Sequence, residues 1–155
     1  DIAKIKPHVE IISPMLYPSH FSAGFDGVEK PADNPYRIVS IGIKKMKDLV
    51  GDDVVIRPWL QSFPLGVTKG FGPKYIQAQI DAVNDAGGTG WLLWSPGNHY
   101  SKAYAAMQNF PEQEQWTREV RIGTGMKSPV LPTPVEDVIS AIREYDSDLD
   151  PGKLL

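Results

Sequence analysis

Apolar and polar positions along this chain follow two different periods, and stretches of each alternate. Val39, Ile43, Met46 and Val50 recur at helical spacing, while Lys44, Lys45, Lys47 and Asp48 take the opposite face. Asn34-Pro35 supplies an N-cap and a proline at the first helical position, and Gly51 a stop. A second stripe, Ile76, Ile80 and Val83, opens at Pro73 and ends at Gly87-Gly88. Shorter helices are predicted at residues 2–6, capped by Asp1 and ended by Pro7, and at residues 101–107, capped by Ser101.

Three apolar runs, at residues 9–17, 54–61 and 90–95, separate the helical stretches. The first is apolar on both faces, as a strand covered on both sides must be. The order strand-loop-helix, repeated, predicts two right-handed crossover units and a parallel sheet. Each run ends in a loop of polar and aromatic residues, and the first loop, 18–35, is long enough to be functional. Functional groups at the carboxyl ends of parallel strands are the layout of open α/β sheets and of (β/α)8 barrels. Three strands cannot close a barrel, so an α/β fold that is one sector of a larger ring is expected. Beyond residue 108 the period is lost. A strand is expected at residues 119–122, and a capping box at Thr133-Pro134-Val135-Glu136 starts an amphipathic helix that ends near Tyr145.

Composition narrows the reading. At 155 residues the chain can bury a real core but is short for a barrel of about 250 residues. A net charge of −3 and the lack of any like-charge run give no footing for nucleic acid or an anionic membrane. No apolar run approaches the roughly 20 residues of a membrane span. There is no cysteine, which excludes disulfides and thiol chemistry and leaves the compartment open. The chain begins with Asp1, so either a leader has been removed or it is a piece of something longer.

Strand alternation puts Met15 with Tyr17, Arg57 with Trp59 and Gln61, and Leu92 with Trp94. If those faces point into a barrel, Arg57 is buried and needs a carboxylate that none of the three runs supplies. Otherwise it sits at the rim with its head in water. Trp59 and Trp94 are candidate platforms for sugar rings, with core packing as the alternative. Tyr17, His20, Gln61, Asn98, His99 and Tyr100 crowd the same strand ends, and aromatic faces beside hydrogen-bonding groups suit a polyhydroxylated ligand. Trp91 has the opposite parity from Trp94 and should pack on the helices. His8, His20 and His99 lack metal spacing, so no metal or other cofactor is expected. Glycoside hydrolysis normally needs two carboxylates about 5–10 Å apart. Only Asp26 and Glu29 lie near the rim, both in a loop, so no catalytic pair is identified.

Together, Met15-Leu16-Tyr17-Pro18-Ser19-His20, Pro35-Tyr36, Arg57-Pro58-Trp59-Leu60-Gln61 and Gly90-Trp91-Leu92-Leu93-Trp94 with Asn98 and Tyr100 resemble a bacterial family of (β/α)8 glycoside-hydrolase-like domains. The resemblance spans about residues 1–108. It implies a partial (β/α)8 TIM barrel, about the last three βα units, followed by a helical extension over 109–155. The family's acidic Asp-Tyr-x-Arg-Phe-Pro type stretch is absent.

The expectation is therefore part of a glycoside hydrolase acting on a polysaccharide or a cell-envelope glycan, inactive alone, in an extracellular or envelope setting. Tyr17, His20, Arg57, Trp59, Gln61, Trp94, Asn98 and Tyr100 would bind carbohydrate. The missing half of the barrel, or another copy of the chain, would cover the open sheet edges. A non-catalytic carbohydrate-binding module is the alternative, and a barrel enzyme using His20 as a base is a third reading.

Overall fold

The computed structural model describes residues 1–108 together with 119–122 and 126–129. It divides into two compact units, Asp1–Pro111 and Glu112–Leu155. In the second unit, Glu119–Ile122 pairs antiparallel with Met126–Pro129. The helix expected after Thr133 lies outside the described residues.

The first unit is α/β. It runs α1 (Ile2–Ile5), β1 (Ile11–Ile12), α2 (Pro35–Val50), β2 (Val55–Ile56), β3 (Trp59–Gln61), α3 (Pro73–Asp85), β4 (Leu92–Trp94) and α4 (Ser101–Met107), with 3-10 turns at Lys6–His8, Pro18–His20 and Pro31–Asp33. The predicted strands are present but shorter and interrupted. Proline is the cause, because it carries no N–H for the ladder. Pro58 separates β2 from β3, and Pro14 separates β1 from a single bridge between Met15 and Trp59. The register does not slip across either break. Ile11 faces Val55, Ile12 faces Ile56 and Met15 faces Trp59 at one constant offset. The second apolar run is thus central, paired in parallel with the first on one side and with β4 on the other.

Helix boundaries fall where the pattern puts them, although two caps differ. The Asp1 carboxylate accepts from the Ala3 N–H, as expected. Asn34 precedes α2, but its side chain donates to the Lys30 carbonyl instead of capping. Ser101 is the first helical residue of α4, and Tyr100 holds the cap position. Gly51, at φ +67°, takes the left-handed conformation that ends α2.

One face of the sheet holds the core. Leu16, Val54, Ile56 and Leu60 form a single buried cluster with Val39 and Ile43 of α2 and Ile76, Ile80 and Val83 of α3. Each such side chain, fully buried, contributes about 1.5–3 kcal/mol. Trp91 packs against this cluster, as its parity predicts. Helix α2 lies along α3, and α3 along α4. Gly42 permits a close approach of α2 to Leu16, since a Cβ there would stand 2.7 Å from Leu16 Cδ2. The other face is left open, with Ile11 46%, Met15 69% and Trp94 46% exposed. Among the described residues, no helix is long and apolar enough to cross a membrane.

Candidate functional site

The loops after β1 and β3 are tied together at the carboxyl end of the sheet, and Gln61 is the tie. Its side chain is wholly buried. Oε1 accepts the Ser19 N–H at 3.0 Å, and Nε2 donates to the carbonyls of Phe63 at 2.8 Å and Leu65 at 3.2 Å. The amide has no surface left for a ligand. This corrects the expectation that Gln61 touches sugar: it is a positioning residue that holds two loops in place.

Asp33 makes a second tie between the same loops. Its carboxylate accepts the backbone N–H of Thr68 at 2.7 Å and of Lys69 at 3.2 Å, and also the Thr68 hydroxyl. The Thr68 hydroxyl bond, followed by the backbone bond from Thr68, holds the Asp33 carboxyl below its ordinary range. Tyr75, on α3, donates its hydroxyl to the Ala32 carbonyl at 2.9 Å. Burial pushes the Tyr75 phenol well above its usual value.

On this braced rim the expected aromatic residues meet in two groups. Tyr17 is 5% exposed and stands edge-on to His20 at 5.2 Å and to Phe63 at 5.6 Å. Its phenol is pushed up by burial and, second, by Tyr100. The Tyr100 hydroxyl in turn accepts the Ser95 N–H at 3.2 Å. Trp59 and Trp94 meet edge to face, with ring centroids 6.2 Å apart and planes at 89°. Trp59 is half-buried, and nearly half of Trp94 faces solvent. Asn98 is exposed in the tight turn after β4, at φ +55°.

Arg57 does not join them. It lies four residues before Gln61, roughly 13 Å back along an extended strand. There its half-buried guanidinium donates from Nε to the Thr89 carbonyl at 3.3 Å. Among the described residues it has no carboxylate partner within ion-pair distance.

Acidic groups near the rim are engaged or exposed. Asp26 pairs with Lys45 at 3.0 Å, and Glu29 is exposed. Among the described residues, no group of three or more His, Cys, Asp or Glu could hold a metal ion. The arrangement offers stacking faces, hydroxyls and amides, which is binding chemistry.

A cavity of about 400 Å³ lies between the loops that follow β3 and β4. Ser62, Phe63, Phe71, Ser95, His99 and Lys102 are among its lining residues. Apart from His99, which the strand-end pattern includes, these residues escape a reading of the sequence. Their one signal is position: Ser62 and Ser95 each follow directly on a strand.

No curated protein and no solved structure matches this chain. Residues 1–100 match the family model described as "Putative glycosyl hydrolase domain". That stretch carries β1 to β4 and most of the aromatic rim, and the chain belongs to the family that this model describes.

Proposed function

We propose that residues 1–108 supply the carbohydrate-binding rim of a glycoside hydrolase acting on a polysaccharide or cell-envelope glycan. The observation that carries this reading is the gathering of Tyr17, His20, Trp94 and Tyr100 at the carboxyl ends of parallel strands, in a chain of a glycosyl hydrolase family. Trp94 offers a ring face to a sugar, with Trp59 buttressing its edge. Tyr17, His20, Asn98 and Tyr100 supply hydrogen-bonding groups around it. Arg57, set deeper, would meet a carboxylate contributed by another strand.

The fold in this reading is about the last three βα units of a (β/α)8 barrel. Its support is that α2 and α3 share one face of the sheet while Ile11, Met15 and Trp94 lie open on the other, as in a sector whose inner face awaits the remaining strands. Those strands would come from a longer protein or from another copy of this chain. The catalytic carboxylates would come with them, and the 155-residue chain alone would hydrolyse nothing.

A non-catalytic carbohydrate-binding module is the second reading, and the lack of a carboxylate pair at the described strand ends favours it. Affinity electrophoresis of the purified chain in gels containing soluble polysaccharides, beside a chromogenic-glycoside assay, tests both. Retardation in a polysaccharide gel, lost in Trp94→Ala, is expected. Failure to bind any polysaccharide, or unchanged binding by the variant, overturns the carbohydrate reading. Turnover by the isolated chain overturns its inactivity.

A further inference from the structure

We propose that the cavity between the β3 and β4 loops is a subsite for a sugar ring bearing a carboxylate, a uronic acid, with Lys102 as its counter-charge. The sugar rests on the carbohydrate reading above. The carboxylate follows from the cavity's own residues.

At about 400 Å³ the cavity falls toward the small end of ligand pockets, which run from roughly 300 to 1,000 Å³. Phe63 and Phe71 give it apolar walls, against which the C–H face of one ring can lie. The polar lining is sparse. Ser62 is 3% exposed and its Oγ is buried, so it offers no surface to a ligand.

Lys102 brings the charge. Its ammonium donates to the Phe71 carbonyl at 2.9 Å and stands 5.3 Å over the centroid of the Phe71 ring. These contacts locate the cation without neutralising it. The ammonium has three donors, of which the carbonyl takes one. Among the described residues no Asp or Glu lines the cavity, and the compensating negative charge is left for the ligand to provide. A single ammonium matches a singly charged carboxylate.

Saturation-transfer NMR on the full chain tests this with methyl β-D-glucuronide and methyl β-D-galacturonide against the methyl glucoside and galactoside. Within each pair the ligands differ only in the carboxylate. The uronides should bind about tenfold tighter, the size of one charge-assisted hydrogen bond. Lys102→Gln should abolish the preference and Lys102→Arg should keep most of it. Lys102 is exposed, so neither variant threatens the fold.

Equal binding of acidic and neutral sugars would overturn the subsite and leave the carbohydrate reading standing. So would a preference that survives Lys102→Gln, acetate binding as tightly as the uronides, or glucose 6-phosphate binding more tightly than either. Binding of no saccharide at all would overturn both.

Discussion

The side chain of Gln79 holds the backbone of Gln61 from both sides. Oε1 accepts the Gln61 N–H at 2.9 Å, and Nε2 donates to the Gln61 carbonyl at 2.9 Å. Both residues are wholly buried. Helix α3 thereby completes, with a side chain, hydrogen bonds that a strand normally makes with a neighbouring strand. The last residue of β3 is fixed, and the Gln61 side chain can then tie the rim loops.

Replacing Gln79 by Leu keeps the approximate volume and removes both bonds. Two buried backbone groups are then unpaired, at about 1–3 kcal/mol each. Gln79→Leu should therefore cost about 2–6 kcal/mol, read as a lower urea midpoint at an unchanged slope. An unaltered midpoint would mean that the clasp contributes nothing.

Asp33 makes stability depend on acid. Its folded-state carboxyl titrates below its ordinary value because Thr68 and Lys69 donate to the ionised form. A group with a depressed folded pKa contributes in full above its unfolded pKa, and the contribution is lost as pH falls through the folded pKa. The melting-temperature gap between the native chain and Asp33→Asn should be constant near neutrality. It should narrow once the pH drops below the ordinary carboxylate range. A gap that stays the same into strong acid would show that ionisation of Asp33 is not what stabilises the loop pair.

How much of this was open to sequence reasoning depended on the range of the contact. The helix stripes, such as Val39 with Ile43 and Ile76 with Ile80, are written within one element, so their spacing exposes them. The strands were legible as apolar runs, yet the breaks at Pro14 and Pro58 shortened them, and the ladder register shows only when the two runs are laid side by side. The role of Gln61 was misread for a physical reason. A buried amide and a sugar-binding amide are the same residue type at the same strand end. Of the partners that distinguish them, Ser19 lies far away in the chain. Ser62, Ser95 and Lys102 were missed in the same way, since only the pairing of β3 with β4 brings their loops together.

Gly42 offers a test of close packing. A methyl group there improves helix propensity by up to about 1 kcal/mol, but it meets Leu16 Cδ2 at 2.7 Å and Cδ1 at 2.9 Å. Overpacking of this kind costs about 1–3 kcal/mol, so Gly42→Ala should be destabilising on balance. The cost should vanish in a Leu16→Ala background, where the methyl has room. Additive effects in that double-mutant cycle would place the cause elsewhere.

Met15 and Leu16 are adjacent and meet opposite environments, 69% and 6% exposed. Leu16 packs into the cluster under α2, whereas Met15 lies on the face that carries Trp94 and Ile11. Leu16→Ala should cost about 2–5 kcal/mol, the range for a buried leucine. Met15→Ala should stay within about 0.5 kcal/mol in the isolated chain, as surface substitutions do. Urea unfolding of the two variants at low protein concentration measures both. Should Met15→Ala prove as costly as Leu16→Ala, something covers that face even in the isolated chain. A midpoint that rises with protein concentration would then identify the cover as a second copy. The small cost expected for Met15 is what an open sheet face requires, because an apolar side chain already in water loses nothing when it is cut back.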